Sequence, residues 1–395
     1  MTSGRWNPAV VVVGAGVAAA LQVGKLPTAL PVLREQLHIT LVEAAFLLSL
    51  VQLAGMLFGL AVGLAADSMG LRRTMLRGLA LIAVASALGA LANDAYTLMA
   101  LRALEGVGVL LTATPAPSLI RRVVGPDRVD AAMGLWGTYM PIGTAVALLA
   151  GPLVIQFVDW RGWWALLAGI AALAAVVVWQ SVPGDPAHTT QVARGLWTER
   201  LRCTLRTSGP WLIAIAFGLY SAQWLSVIGF LPTVYAQAGF AATYAGAATA
   251  LAALVNMVGN IAAGRLLQRG VAPTVLLLAG FATMAAGALL AFAAGFVPAG
   301  AQYAGVLAFS MVGGLVPATL FALSVRLAPR DDTVSTTVGW MQQWSSLGQF
   351  TGPPVVAYVA AAVGGWQWSG AVTATLALAG IGVAAAISAL IHERR

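Results

Sequence analysis

Residues 63–73 read GLAADSMGLRR, a short polar turn between two long apolar segments at about 41–66 and 74–92. A helix that crosses the hydrocarbon core of a bilayer needs about 20 apolar residues, and both flanking segments are about that long. The acid and the two arginines are confined to the turn, outside the costly hydrocarbon region. The turn therefore indicates two membrane-spanning helices joined by a tight loop.

The same alternation of apolar segments and polar breaks continues along the chain. Its 395 residues are 60% hydrophobic and 9% charged, whereas a soluble protein carries about 25% charged residues. A membrane barrel would need alternating polar and apolar residues, but this chain has unbroken apolar runs such as 171–178. We therefore predict an all-α membrane protein with twelve transmembrane helices. The predicted segments lie at about 8–33, 41–66, 74–92, 95–120, 131–155, 163–181, 210–236, 242–267, 273–295, 300–326, 333–362 and 368–391.

The placement of the basic residues predicts the orientation. If the N-terminus is cytoplasmic, 17 of the 21 basic residues fall on the cytoplasmic side and only Arg34 and Arg161 fall on the outer side. Lys25 and Arg102 remain inside apolar segments. Such asymmetry is typical of a multi-pass membrane protein. We therefore predict that this protein lies in the cell membrane with both termini in the cytoplasm. It also explains the net charge of +8 without a nucleic-acid partner.

Sequence landmarks recur at a constant spacing. A Leu-Pro pair at 30–31 recurs at 231–232, and a Gly-Pro pair at 151–152 recurs at 352–353, each at an offset of 201 residues. This repetition predicts two pseudo-symmetric six-helix bundles with a solute site between them. The predicted domains are an N-terminal half at 1–182, a cytoplasmic linker at 183–208 and a C-terminal half at 209–395.

Metal and cofactor chemistry is not indicated. The single cysteine, Cys203, has no His or Cys at ligand spacing. His38, His188 and His392 lie outside the apolar segments, which excludes a histidine-based metal centre within the membrane. No Gly-x-x-x-x-Gly-Lys-Ser/Thr loop is present, so the expected energy source is a gradient of solute or ion. We expect no cofactor.

Two acidic residues are predicted to cap helices. Thr40 and Glu43 have capping-box spacing at the start of the second segment. Asp94 precedes the fourth segment, where an acid interacts favourably with the helix dipole.

The turn at 63–73 resembles the signature loop of the major facilitator superfamily, and the likeness extends over the whole chain. It implies that the loop latches one conformation at the cytoplasmic face. Ser68 and Leu71 replace basic residues that are usual there, and the counterpart at 259–270 lacks an aspartate. Alternatively, the arginines only anchor the loop on the cytoplasmic side. The expected latch residues are Gly63, Asp67, Gly70, Arg72 and Arg73.

The fourth segment reads LRALEGVG at 101–108 and is similar to a motif in the fourth membrane helix of that family. Arg102 and Glu105 are three residues apart and share one helix face. A charge inside the membrane is costly, which makes it a candidate for function. The two residues form either a self-neutralising structural pair or a proton-coupling site, in which Glu105 exchanges a proton beside Arg102.

Lys25 is the only lysine, about 25 Å along the first segment. It either extends its ammonium group to the outer interface or faces a cavity one turn from Gln22. In the second case no carboxylate is near it in sequence, so a solute anion is its expected partner.

In this family the first, fifth, seventh and eleventh helices line the solute cavity. Gln22 matches Gln223, and Tyr139 matches Trp340, at the same offset of 201. Helix packing or an interface belt is the alternative role for each aromatic residue, but the matched set favours a cavity. The predicted substrate-binding residues are Gln22, Lys25, Tyr139, Tyr220, Gln223, Trp224, Asn256, Trp340 and Gln343.

Residues 218–235 and 313–317 resemble the cyanate and nitroimidazole permease-like branch of the superfamily. We expect a secondary active transporter that moves a small organic solute, an anion, across the membrane by alternating access. It is expected to work as a monomer in the lipid bilayer, with protons as a candidate coupling ion. The alternatives are a proton-coupled efflux pump for a drug-like compound and a non-transporting membrane sensor or receptor. An enzyme is not indicated, because the sequence shows no catalytic cluster.

The linker is predicted to face the cytoplasm because Arg194, Arg200, Arg202 and Arg206 lie on both sides of Cys203. A membrane-impermeant thiol reagent should leave Cys203 unlabelled in intact cells and should label it in inverted vesicles. Mass spectrometry of the linker peptide measures both. Labelling in intact cells would contradict the orientation.

Overall fold

The computed structural model describes residues 7–124, 132, 135–185, 197–293, 297–330 and 333–393. Within these ranges the regular structure is helical, which confirms the predicted class. The helices before the linker are α1 (Pro8–Gln36), α2 (Leu41–Ser49), α3 (Leu53–Met69), α4 (Leu71–Gly89), α5 (Ala95–Ala113), α6 (Ala116–Val123) and α7 (Tyr139–Ser181). The later helices are α8 (Trp197–Leu205), α9 (Ser208–Gln237), α10 (Ala242–Gln268), α11 (Pro273–Ala291), α12 (Ala299–Gly313), α13 (Leu315–Leu327), α14 (Val334–Val363) and α15 (Ser369–Glu393).

The two predicted caps are confirmed. The Thr40 hydroxyl accepts a hydrogen bond from the Glu43 backbone N–H, and the Glu43 carboxylate accepts one from the Thr40 backbone N–H. The Asp94 carboxylate accepts a hydrogen bond from the Thr97 backbone N–H at 2.8 Å. Each cap satisfies backbone donors that the first helical turn leaves without partners.

Several predicted segments are interrupted rather than continuous. The second is divided into α2 and α3 by a 3-10 turn at Leu50–Gln52, and the tenth is divided at Gly314. The fourth is divided at 114–115, before α6. The fifth and sixth lie in the single element α7, where Asp159 (φ 59°) marks the division between them.

Nine helical stretches in the described part of the chain are long and apolar enough to cross a membrane. Three elements account for the difference between these nine stretches and the twelve predicted transmembrane helices. The element α7 covers two predicted segments, while α4 and α14 fall outside the nine. For α4 the reason is its three arginines, Arg72, Arg73 and Arg77. A multi-pass membrane protein is therefore supported, and the number twelve stays a prediction.

Close helix packing builds four hydrophobic cores among the described residues, and the two largest lie mainly before residue 182 and mainly after residue 209. In the first, α1 packs along α7, where Gly24 lies so near the backbone of α7 that a Cβ atom would come within 2.7 Å of the Thr144 carbonyl oxygen. In the second, α9 packs along α14. The two parts touch where α3 meets α14, α7 meets α10 and α1 meets α9. At the last of these contacts, α1 and α9 lie against each other between the two parts.

Candidate functional site

Three charged side chains meet in the interior of the N-terminal half. The Lys25 ammonium and the Arg102 guanidinium each lie 2.5 Å from a different oxygen of the Glu105 carboxylate. Lys25 and Arg102 are 0% exposed and Glu105 is 1% exposed. The two cations and one anion give this charge triad a formal charge of +1.

The surroundings of Lys25 contradict its predicted extension to the outer interface and the expectation that it lacks a partner within the protein. Its ammonium donates a hydrogen bond to the Ser86 hydroxyl at 2.8 Å and lies 4.5 Å from the ring centre of Trp164. The Trp163 indole N–H donates to the Lys25 carbonyl oxygen. The ammonium therefore does not reach the outer interface, and it does not lack a carboxylate. Sequence spacing missed the partner because Glu105 lies 80 residues away.

Arg102 connects the charge triad to Gln22. One guanidinium nitrogen, Nη1, donates to the Gln22 carbonyl oxygen at 2.9 Å as well as to Glu105. Among the described residues, the other nitrogen, Nη2, has no hydrogen-bond partner, and neither side-chain atom of the fully buried Gln22 has one. A buried polar group without a partner costs about 1–3 kcal/mol. Such groups are rare in folded proteins, and a binding partner is one explanation for them.

A second polar cluster, without charges, lies in the C-terminal half. The Asn256 amide nitrogen donates to the Tyr220 hydroxyl at 3.0 Å and to the Ser310 carbonyl oxygen at 2.8 Å. The Trp224 indole N–H donates to the Ser310 hydroxyl at 3.3 Å. Three predicted site residues, Tyr220, Trp224 and Asn256, are thus brought together. We call them, with Ser310, the neutral cluster.

Gln223 lies on α9 beside this cluster in sequence and is fully buried. Its amide nitrogen donates to the Leu219 carbonyl oxygen, one turn earlier, at 2.9 Å. Its amide oxygen has no partner within the described ranges. Gln22 and Gln223, which match at the repeat offset, are therefore both buried with unsatisfied side-chain atoms.

The other predicted site residues lie elsewhere. Tyr139 stacks on Trp136 with ring centres 4.1 Å apart, and Trp340 packs edge-on against Trp211 at 4.8 Å. These contacts correspond to the alternative role of helix packing. The Gln343 amide oxygen accepts a hydrogen bond from the Leu60 backbone N–H of α3, so Gln343 joins the two halves.

The signature loop is held by a carboxylate that was not predicted. Asp185, which follows α7, accepts hydrogen bonds from the backbone N–H groups of Arg72 (3.1 Å) and Arg73 (3.0 Å). The Arg122 guanidinium donates to the same carboxylate at 2.8 Å, and the Asp185 side chain is 3% exposed. Gly70, with φ 84°, lies against this carboxylate, and a Cβ atom there would come within 2.6 Å of it. Among the expected latch residues, Gly63 and the Asp67 side chain lie outside the described residues.

The hydrogen bonds to Asp185 change its acidity. Burial raises the pKa of its carboxyl group, but the hydrogen bonds from Arg122 and from the N–H groups of Arg72 and Arg73 outweigh this and lower the pKa below its usual value. The charged form of Asp185 is therefore the one that holds the start of α4.

Sequence reasoning missed Ser86, Ser310 and Asp185. A serine inside an apolar helix gives only a weak sequence signal, because its hydroxyl can hydrogen-bond to a backbone carbonyl of its own helix as readily as to a group on a neighbouring helix. Asp185 gave a clearer signal, since it is one of two acids in the basic linker region at 183–208.

The sequence profile described as Major Facilitator Superfamily matches residues 12–353. The cyanate transport protein CynX of Escherichia coli (strain K12) is 30% identical over 193 residues, which are 48% of this chain and 48% of that protein. The puromycin resistance protein pur8 of Streptomyces alboniger is 33% identical over 184 residues, 46% of this chain and 36% of that protein. The 2-nitroimidazole transporter of Escherichia coli (strain K12) is 26% identical over 226 residues, 55% of this chain and 54% of that protein. The chain thus spans about half or less of the length of these curated relatives.

The charge triad predicts an order of stability among single substitutions. Glu105→Gln leaves two buried cations without their anion and should lower the unfolding free energy by about 3–5 kcal/mol. Lys25→Met leaves Arg102 paired with Glu105 and should cost about 1–2 kcal/mol for the lost hydrogen bonds. Thermal unfolding of the purified protein in detergent measures both. Arg161→Gln, at an exposed ion pair, is the control and should change little. Equal losses for the two triad variants would contradict this order.

Asp185→Asn should lower the unfolding temperature at neutral pH. Because the folded-state pKa of Asp185 lies below the unfolded value of about 3.9, its stabilisation is fully present above that value and is lost as the pH falls through the folded-state pKa. The difference from wild type should therefore be constant above about pH 5 and should shrink below about pH 4. Glu199→Gln, at the exposed pair with Arg330, is the control. A difference that is independent of pH would show that the charge of Asp185 is not responsible.

Proposed function

The chain belongs to the Major Facilitator Superfamily, and we propose that it is a secondary transporter that moves a small organic solute across the cell membrane by alternating access. In this proposal twelve membrane helices form two halves, 1–182 and 209–395, that rock about a central site. The linker and both termini face the cytoplasm, in accord with the distribution of arginines. The functional unit is a monomer.

The observation that carries the proposal is the matched pair Gln22 and Gln223. The two residues occupy equivalent positions on α1 and α9, helices that pack against each other between the halves. Both side chains are fully buried, and each has at least one side-chain atom without a partner in the described part of the chain. A polar solute between the halves would supply those partners, which internal packing does not.

A small organic anion is the proposed solute class. The charge triad carries one more cation than anion, and Arg102 has an N–H group without a partner among the described residues. That N–H belongs to the same guanidinium that contacts Gln22. An anion would balance the excess positive charge at low dielectric, where charge interactions are strong. The relative named as a cyanate transport protein agrees with this class.

Proton-coupled efflux of an organic compound is the second candidate. The relative named as a puromycin resistance protein favours it. In that case Glu105 would have to exchange a proton while it holds Lys25 and Arg102, so protonation would free both cations. Uptake of an anion does not require Glu105 to exchange a proton.

Reconstitution into proteoliposomes tests the proposal. Purified protein should catalyse saturable uptake of labelled cyanate or of a small carboxylate, accelerated by the same solute on the opposite side. Neutral analogues should not be taken up. Binding without flux would overturn transport, and proton-driven export of organic cations or neutral compounds would favour the second candidate.

Gln22→Leu and Gln223→Leu should each weaken solute binding by about 1–3 kcal/mol, about 5- to 150-fold in affinity. Each substitution removes one side-chain amide that would hydrogen-bond to the solute. Solute-dependent thermal stabilisation measures the affinity. The exposed Gln156 of α7 offers a matched control, and Gln156→Leu should bind as wild type does. Unchanged binding in both site variants would place the solute elsewhere.

A further inference from the structure

The 3-10 turn at Leu50–Gln52 interrupts a membrane helix without a local cause in its sequence. Neither Pro nor Gly occurs between residues 41 and 52. A short 3-10 stretch within a helix often marks a hinge, and irregular backbone in a membrane persists only where protein covers it. The neighbours of the turn must therefore explain it.

On one side the turn is held by α5, the helix that carries the charge triad. Gly106 lies against the Val51 carbonyl group, so closely that a Cβ atom could not be accommodated. The Arg102 guanidinium Nε donates to the Leu47 carbonyl oxygen at 3.5 Å, a long hydrogen bond. Leu47 precedes Val51 by one helical turn. Backbone groups of the interrupted helix thus contact both the charged residue and the glycine of α5.

On the other side the turn is held by the C-terminal half. Gln52 is 6% exposed, and its amide nitrogen donates to the Gln349 amide oxygen at 3.0 Å across the interface between α3 and α14. The Gln349 amide nitrogen donates to the Ser345 hydroxyl at 3.3 Å. Ser345 in turn shares a hydrogen bond of 2.7 Å with Ser221 of α9. A continuous chain of polar side chains therefore leads from the turn to α9.

We propose that Gln52 is a positioning residue, which couples the charge triad to the opposite half through the Leu50–Gln52 hinge and its hydrogen bond to Gln349. This inference rests on the proposed transport function, since alternating access requires the halves to separate at this interface. When the halves separate, the bond between Gln52 and Gln349 breaks. A change of charge or occupancy at Arg102 reaches that bond through the backbone of Leu47 and Val51.

The test measures how often the interface opens. Gly59 of α3 is buried, and a Cβ atom there would lie 3.1 Å from the Cβ atom of Gln343 on α14. A Gly59→Cys protein, made in a Cys203→Ser background, should therefore react with a maleimide only when the halves separate. Purified protein in detergent is labelled over time and analysed by mass spectrometry.

Gln52→Leu and Gln349→Leu should each raise the labelling rate by about fivefold, the population shift expected when one hydrogen bond of about 1 kcal/mol is lost. The double variant should label no faster than Gln52→Leu alone, because that substitution already removes the bond to Gln349 together with the 3.4 Å hydrogen bond that the Gln52 amide oxygen accepts from the Ser346 hydroxyl. Thr351→Val is the matched control on α14, since within the described part of the chain the Thr351 hydroxyl bonds only to the Leu347 carbonyl oxygen of the same helix. Unchanged rates, or effects that multiply in the double variant, would overturn the role of Gln52.

A second arm tests the coupling to the charge triad with a mild variant. Ser86→Ala removes one hydrogen bond from Lys25 and leaves the ion pairs in place. It should change the labelling rate at least about twofold when Gln52 is present and should have no effect in the Gln52→Leu protein. No effect, or the same effect in both proteins, would overturn the coupling. Labelling needs no solute, so these outcomes are distinct from a failure to find transport, which would bear on the proposed function alone.

Discussion

A buried charge in a membrane must find its partner within the protein, and the interior of the N-terminal half is organised around that constraint. Glu105 neutralises Lys25 from α1 and Arg102 from its own helix, α5. Ser86 from α4 and Trp164 from α7 complete the surroundings of the ammonium. Four helices therefore meet around the charge triad. Because these side chains are buried, displacing any of these helices would leave a charge or a polar group without its partner.

The two halves of the sequence share landmarks at a constant offset but differ in the charges they carry within helices. At the repeat offset of 201, Lys25 corresponds to Ser226 and Glu105 corresponds to Val306. In the C-terminal half, hydrogen bonds of the neutral cluster around Asn256 take the place of ion pairs. Gln22 and Gln223 are retained in both halves. A solute between them would thus meet similar amides on two sides, but a net charge on only one side.

What the sequence could predict follows from the range of each interaction. Caps at Glu43 and Asp94, and the pairing of Arg102 with Glu105, depend on residues three apart, and the structure contains all of them. The partner of Lys25 and the role of Asp185 depend on helix packing, which brings together residues about 80 to 110 positions apart. Because the sequence does not show that packing, it predicted Lys25 to be a lone cation. Helix interruptions such as the one at Leu50–Gln52 could not be predicted from the sequence for the same reason, since their causes lie on neighbouring helices.

The interruptions themselves lie beside the polar clusters. The turn at Leu50–Gln52 contacts α5 at Gly106, next to Glu105 of the charge triad. The division between α12 and α13 falls at Gly314, whose backbone lies against the carbonyl group of Asn256 in the neutral cluster. Glycine permits the close approach in both cases, and the polar cluster covers backbone that hydrocarbon would not tolerate. Each half therefore has a helix interruption beside its own polar residues, so a rearrangement of those residues would directly change the packing around the interruption.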